Sequence, residues 1–543
     1  MTSVFRGTRS LAAVFVTVLF STGLTPQGRA AHCVTLAEQR LPNTTITAAQ
    51  AVTGGSFTPP RFANPIRGLP PFCRVAGVIA PTSDSRIQFE VWLPLDDWNG
   101  RFAGVGNGGW AGSISFGDLA GQLRRGYAAA STDTGHEAQP GADAARFAFE
   151  HPERLIDFAY RAHHETAVAA KALVEAFYGE AAAYSYWIGC SSGGYEGLME
   201  AQRFPGDFDG IVAGAPANNW TRLMSGDLDA TLAVLQDPDT YLPLSALGAL
   251  YRGVLASCDG DDGVVDGVLE DPRACDFDPG ALACEAGEAP GACLTAAQVE
   301  AARRVYRGLR DPVTGAQLYP GLAPGSEPFW PNRDREFPFT IPVAYFKWLV
   351  FADPEWDWKT FQFEDPADYR AFLEAESSLA PILNATNPDL RDFRARGGKL
   401  LQYHGWSDGL IAPQNSIDYY ESVISLLDEG RRDRAAALAE VRSFYRMFMA
   451  PGAGHCGGGP GPSSFDMLTV LEQWVEQGVA PNQVLATHAI AGVIDRSRPL
   501  CPYPEVAVYG GVGDINEAAS FACRAPEATE ERGGGGPAPP NLE

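Results

Sequence analysis

The sequence predicts an α/β protein: a mainly parallel, doubly wound sheet with helices on both faces and a large domain inserted between its later strands. Three observations predict it. Short apolar runs alternate with helical periodicity from residue 86 to residue 214. The same alternation resumes at Lys399 and continues to about residue 477. Between them, residues 218–395 hold many aromatics, an acidic loop and two local cysteine pairs, without strand–helix alternation. At 543 residues the chain exceeds one compact core and predicts two or three domains.

Residues 1–31 read as a signal peptide. Arg6 and Arg9 precede the apolar stretch Leu11–Phe20, and small residues at Gly28, Ala30 and Ala31 offer a cleavage site. The apolar run is short of the ~20 residues a membrane span needs, and no later segment reaches that length. Residues 32–217 form the first part of the core. Its opening, to about residue 80, is rich in Pro and Gly and reads as irregular, tied by Cys33 and Cys73. Arg86–Leu93 alternates polar and apolar residues, the mark of a half-buried antiparallel strand. Phe102–Gly112 is a strand running into a glycine-rich loop, Tyr127–Ser131 a short strand, and Glu153–Phe177 a helix. Tyr184–Ile188, a helix to Arg203 and the strand Gly210–Gly214 follow. Residues 396–525 complete the core with strands at Lys399–His404 and Ser443–Ala450 and helices at about 414–427 and 464–477. Residues 526–543, ending GGGGPAPPNLE, read as a disordered tail.

The chemistry centres on Gly189-Cys190-Ser191-Ser192-Gly193, a G-x-S-x-G turn between a buried strand and a helix. Such a turn lifts the serine hydroxyl above the sheet. Serine is a poor nucleophile until a base, itself held by a third group, takes its proton. Asp408, in HGWSDGLI after the KLLQYH strand, and His455, in PGAGHCGGG after FYRMFMA, follow the serine in the order this fold uses. His404 is the rival base, but it precedes the acid at a strand end and reads as structural. The backbone N–H groups of Ser192 and Gly109, the latter in GNGGWAG, are the candidate oxyanion donors.

Ten cysteines in an exported chain read as disulfides, with 258/275, 284/293 and 501/523 the short-loop pairings, although sequence alone does not fix connectivity. Cys190 lies beside Ser191 and Cys456 beside His455, so an assembled triad would make these two neighbours. The loop CDGDDGVVDG concentrates Asp259, Asp261, Asp262 and Asp266 without a nearby Lys or Arg, which makes Ca²⁺ a plausible counter-ion. Net charge −25 and pI near 4.7 argue against nucleic-acid and anionic-membrane partners.

On GCSSGGYEG, HGWSDGLI, PGAGHCGGGPG and the closing RPLCPYPEVAVYGGVGDINEAASFAC, the chain resembles the tannase and feruloyl esterase family of secreted α/β-hydrolases. The resemblance spans nearly everything after the signal. It implies Ser191 as nucleophile, Asp408 as acid, His455 as base, and Gly109 and Ser192 as oxyanion donors. It also implies a lid domain over residues 218–395 with a structural Ca²⁺, held by the side chains of Asp259, Asp262 and Asp266 and the backbone oxygens of Val264 and Val268. Five bridges are implied: Cys33–Cys73, Cys190–Cys456, Cys258–Cys275, Cys284–Cys293 and Cys501–Cys523. The substrate class implied is a small ester of an aromatic acid, feruloyl or galloyl; the export signal itself fits either the periplasm or the medium. One branch hydrolyses mono(2-hydroxyethyl) terephthalate and grips its carboxylate with a lid arginine. Phe337–Phe351 has none, although Arg333 and Arg335 stand just before it, and this favours feruloyl or galloyl esters. A silent hydrolase fold used as a binding module would lack a triad member, and none is missing.

Overall fold

The computed structural model describes residues 1–2, 26–285, 293–331, 337–430 and 432–525. The apolar stretch Leu11–Phe20, Arg333, Arg335 and the tail from residue 526 lie outside them.

Nine strands form the central sheet: β1 (Thr44–Val52), β2 (Phe72–Ile79), β3 (Ile87–Pro94), β4 (Arg101–Val105), β5 (Ala128–Thr132), β6 (Tyr184–Cys190), β7 (Gly210–Gly214), β8 (Lys399–Gly405) and β9 (Tyr445–Ala450). Their spatial order is β1-β2-β3-β5-β4-β6-β7-β8-β9. β1, β2, β3 and β5 pair antiparallel, and every pair from β5 onward is parallel. The parallel strands are short and apolar because helices cover both faces: GIVAG of β7 is buried throughout. Helices α1 (Ala162–Tyr178), α2 (Ser192–Arg203), α3 (Trp220–Leu235), α4 (Leu244–Cys258), α5 (Pro413–Asp428) and α6 (Met467–Gln477) are the ones that matter for the site.

Two expectations are corrected here. The segment 32–80 is not irregular: β1 and β2 extend the sheet as its antiparallel edge, with Cys33 bonded to Cys73 at the end of β1–β2 pairing. β3 is not half-buried but buried along almost its whole length, because it sits inside the sheet between β2 and β5. Its polar residues are satisfied internally. Glu90 pairs with Arg74 of β2, and Gln88 donates from backbone and side chain to Asp133.

The chain between β7 and β8, which are neighbours in the sheet, leaves it and returns to it. Among the described residues this insertion is helical and adds no strand to the sheet. Phe346, Phe361, Phe363 and Phe372 pack edge to face in its interior. It is fastened to the core by Trp110 Nε1, which donates to the Ile341 carbonyl at 3.2 Å, and by Trp348 Nε1, which donates to Ala142 O at 2.8 Å. Two hairpins, Val484–Ile490 with Val493–Leu500 and Val506–Tyr509 with Phe521–Arg524, close the described chain. Five disulfides join Cys33–Cys73, Cys190–Cys456, Cys258–Cys275, Cys284–Cys293 and Cys501–Cys523. That set fits an oxidising compartment. No helix among the described residues is long and apolar enough to cross a membrane.

Candidate active site

Ser191 stands between β6 and α2 with φ 64° and ψ −122°, a conformation L-residues avoid. The surrounding backbone enforces it. Ser191 N donates to Gly214 O of β7 at 2.9 Å, and Ser191 O accepts from Tyr195 N and Ala217 N. A side chain on Gly189 would collide with the Gly193 carbonyl, and one on Gly194 with Gly214 O, so α2 starts this close to the sheet only with glycine there.

Asp408 and His455 arrive on the loops after β8 and β9. Asp408 is fully buried; its Oδ1 accepts from Leu410 N and Ile411 N, and its Oδ2 accepts from His455 Nδ1 at 2.7 Å. A carboxylate only accepts, so Nδ1 carries the proton and Nε2 is left as the free acceptor. Burial pulls the His455 pKa down, but the charge and hydrogen bond of Asp408 together outweigh it and hold the imidazole above 6.5. Burial likewise pushes Asp408 up, and the two histidines beside it win, leaving it well below the usual carboxylate range. His404 is the second of them. Its Nε2 faces Asp408 Oδ2 and Ile411 O, its Nδ1 accepts from Ser416 Oγ, and it is wholly buried. Both its nitrogens are engaged, which suits it to orient Asp408 and not to act as a base.

Ser191, Ser192, Gly109 and His455 line one cavity, closed above by Phe339 and Ile341 of the insertion. The Cys190–Cys456 bridge ties the serine turn to the histidine loop, with Cα atoms 5.9 Å apart across 266 positions of sequence. The loop after β4 is clamped from below. Ser192 Oγ donates to Gly109 O at 2.6 Å, and Gly193 N donates to Asn107 O at 2.9 Å. Ser192 opens α2, where the first N–H groups have no carbonyl of the helix to bond.

One anchor of this loop escapes sequence reasoning. Glu196, almost fully buried on α2, accepts from Asn107 N at 2.9 Å, and burial raises its pKa well above 4.5. Its signal is a lone acid among small and apolar residues in GGYEG. Asp227 is the other residue missed: it lines the cavity from α3, one acid on a stripe with Trp220, Leu223 and Met224.

The family model described as "Tannase and feruloyl esterase" matches residues 73–524. The chain belongs to this family. An uncharacterized esterase of Xanthomonas campestris pv. campestris is 39% identical over 536 residues, 92% of each chain. A probable feruloyl esterase B-2 of Aspergillus terreus is 35% identical, over 83% of this chain and 86% of the relative. Crystallised feruloyl esterase B from Aspergillus oryzae superposes with a TM-score of 0.83 at 31% identity, covering 91% of this chain and all of the other. The tannin acyl hydrolase from Aspergillus niger superposes at 0.75 and 25% identity, covering 93% and 96%. The family's fold is that of the α/β-hydrolases, and the chain is a carboxylic-ester hydrolase of the feruloyl esterase and tannase type.

The acidic loop follows α4, at the base of the insertion. Its carboxylates turn inward onto their own backbone. Asp259 accepts from Asp266 N and Gly267 N, Asp262 from Val264 N and Glu270 N, and Asp266 from Val268 N. Asp266 Oδ2 also meets Arg498 at 2.5 Å. Glu270 beside them has a buried Oε2 with no hydrogen-bond partner, with Arg498 3.8 Å away. Burial, with other carboxylates adding to it, pushes Asp262 up to about 6 and Glu270 to about 8. Among the described residues no group of three or more His, Cys, Asp or Glu side chains is arranged to hold a metal ion. The donors are all oxygens, and the local charge is more negative than Arg496 and Arg498 offset, so in chemical type the loop fits a hard cation.

Proposed function

We propose that the chain is an exported serine esterase that hydrolyses esters of hydroxylated aromatic acids, feruloyl or galloyl, through an acyl-enzyme. One observation carries the reading: His455 Nδ1 is fixed on buried Asp408 at 2.7 Å, in the cavity that Ser191 enters from its turn. Nε2 takes the Ser191 proton as Oγ attacks the ester carbonyl, and Asp408 stabilises the imidazolium. The carbonyl oxygen becomes an oxyanion facing the N–H groups of Gly109 and Ser192. Collapse expels the alcohol, which takes its proton from Nε2. Water activated by the same nitrogen then attacks the acyl-enzyme, releasing the aromatic acid and restoring Ser191. The names of the relatives and the apolar wall built by Trp220, Leu223, Met224 and Ile341 support an aromatic acyl group.

A structural Ca²⁺ belongs to the same proposal. The side chains of Asp259, Asp262 and Asp266 and the carbonyls of Val264 and Val268 would hold it, and its role would be to neutralise the loop. The five bridges and the apolar stretch between residues 11 and 20 support export to the periplasm or the medium. Ser191→Ala should retain the fold by circular dichroism and lose hydrolysis of methyl ferulate and p-nitrophenyl acetate, by a factor on the order of 10⁶ in kcat. A variant as active as the parent would end the assignment.

A further inference from the structure

Helix α3 starts at the serine turn. Ala217, three residues before its first residue Trp220, donates its N–H to Ser191 O at 3.2 Å. From there Trp220, Leu223, Met224 and Asp227 fall on one face, and that face lines the cavity. At 1.5 Å per residue, Asp227 lies about 10 Å along the helix from Trp220. Among the described residues its carboxyl makes no hydrogen bond and no ion pair, and Asp408 adds a like charge nearby. Asp229, two residues on, shows the contrast: it is buried but paired with Arg304 at 2.5 Å. A carboxyl left unpartnered in an apolar cavity wall is costly unless a ligand supplies its donor.

We infer that Asp227 is a specificity residue, accepting a hydrogen bond from the ring hydroxyl of a hydroxycinnamoyl ester whose carbonyl lies at Ser191. The inference rests on the esterase reading above and narrows it. A hydroxybenzoyl group is shorter than a hydroxycinnamoyl group by the two alkene carbons between ring and carbonyl, and a carboxyl carried two turns along α3 from Trp220 favours the longer group. Leu223 and Met224 face the ring between the two polar ends.

The test compares kcat/KM for methyl p-hydroxycinnamate and methyl cinnamate, which differ only in the hydroxyl. The mature wild-type chain should prefer the hydroxylated ester by about tenfold or more, because the unsubstituted ring leaves the carboxyl unpaired. Asp227→Leu should bring the ratio close to one. Asp227→Asn keeps an accepting oxygen and should restore most of the preference, which a merely structural role would not do. Each ratio is internal to one preparation, so loss of folded protein cancels. A wild-type ratio near one overturns the inference without any variant, and so does a Leu variant that keeps the wild-type ratio. If the wild type hydrolyses neither cinnamate but cleaves p-nitrophenyl acetate, this inference falls and the esterase reading stands; if it cleaves none of the three, the esterase reading falls as well.

Discussion

The serine turn and the acidic loop are both tight, glycine-bearing loops at helix ends, and they handle polar groups in opposite ways. The serine turn is closed on itself. Gly214 O, Ala217 N and Tyr195 N engage its backbone, Glu196 holds the neighbouring loop, and a disulfide binds it to the histidine loop. The acidic loop also bonds its own backbone, yet retains surplus negative charge that Arg496 and Arg498 only partly offset. The lesson is one of self-sufficiency: the first loop holds its geometry from within the chain, whereas the second keeps a charge imbalance that the proposed cation would neutralise. Val268 of the acidic loop lies against Gly452, in the loop that carries His455.

The largest effect should come from the self-contained side. Asp408→Asn should lower kcat by about 10⁴ through the loss of the carboxylate that fixes the His455 tautomer. It should also move the acidic limb of the rate profile. His455 works as a base only when neutral, so activity rises with pH through its pKa, which Asp408 holds above 6.5. Without that charge, burial alone remains and lowers the pKa, so the limb of the residual activity moves to lower pH. A limb that stays in place would contradict the assignment of the base.

Glu196 tests whether the clamp beneath the loop is mechanical. Glu196→Ala should reduce kcat by about one to two orders of magnitude with little change in KM, since a misplaced oxyanion donor is felt only when the oxyanion forms in the transition state. Glu196→Gln keeps an acceptor for Asn107 N and should recover most of the rate. Equal losses in both variants would mean that the carboxyl does more than hold the loop.

The smallest effect on rate, and a clear one on stability, belongs to the acidic loop. Asp262, at about 6, and Glu270, at about 8, lie above their ordinary values of 3.8 and 4.5. The folded protein therefore holds protons that the unfolded chain has released. Stability from these groups is complete below about pH 4 and is lost as pH rises through the folded values. In EDTA the melting temperature should fall between pH 5 and about 8 through these groups, and added calcium should raise it most at the alkaline end. No response to calcium at pH 8 would remove the metal from the account.

Much of this was legible along the chain because the relevant signals are local. GIVAG and KLLQYH are short apolar runs buried in a parallel sheet, and Ser191, Asp408 and His455 each follow such a run. β1 was not legible. Its sequence TTITAAQAV mixes small and polar residues at an exposed edge, and pairing with β2 gives it its place in the sheet. The burial of β3 was missed because its alternating polar residues find partners on β2 and after β5, far away in sequence. Glu196 and Asp227 were read past for a related reason. An acid on an apolar face has meaning only once the fold shows what lies opposite.

The central claim is that Ser191 is the residue that becomes acylated. Mass spectrometry of peptides after treatment with an organophosphonate ester, which traps an activated serine covalently, tests it most directly. The account predicts one stoichiometric adduct on the peptide carrying Ser191, formed in step with loss of activity and far more slowly in Asp408→Asn. Inactivation with the adduct on another residue, or full labelling of Ser191 with activity intact, would contradict it.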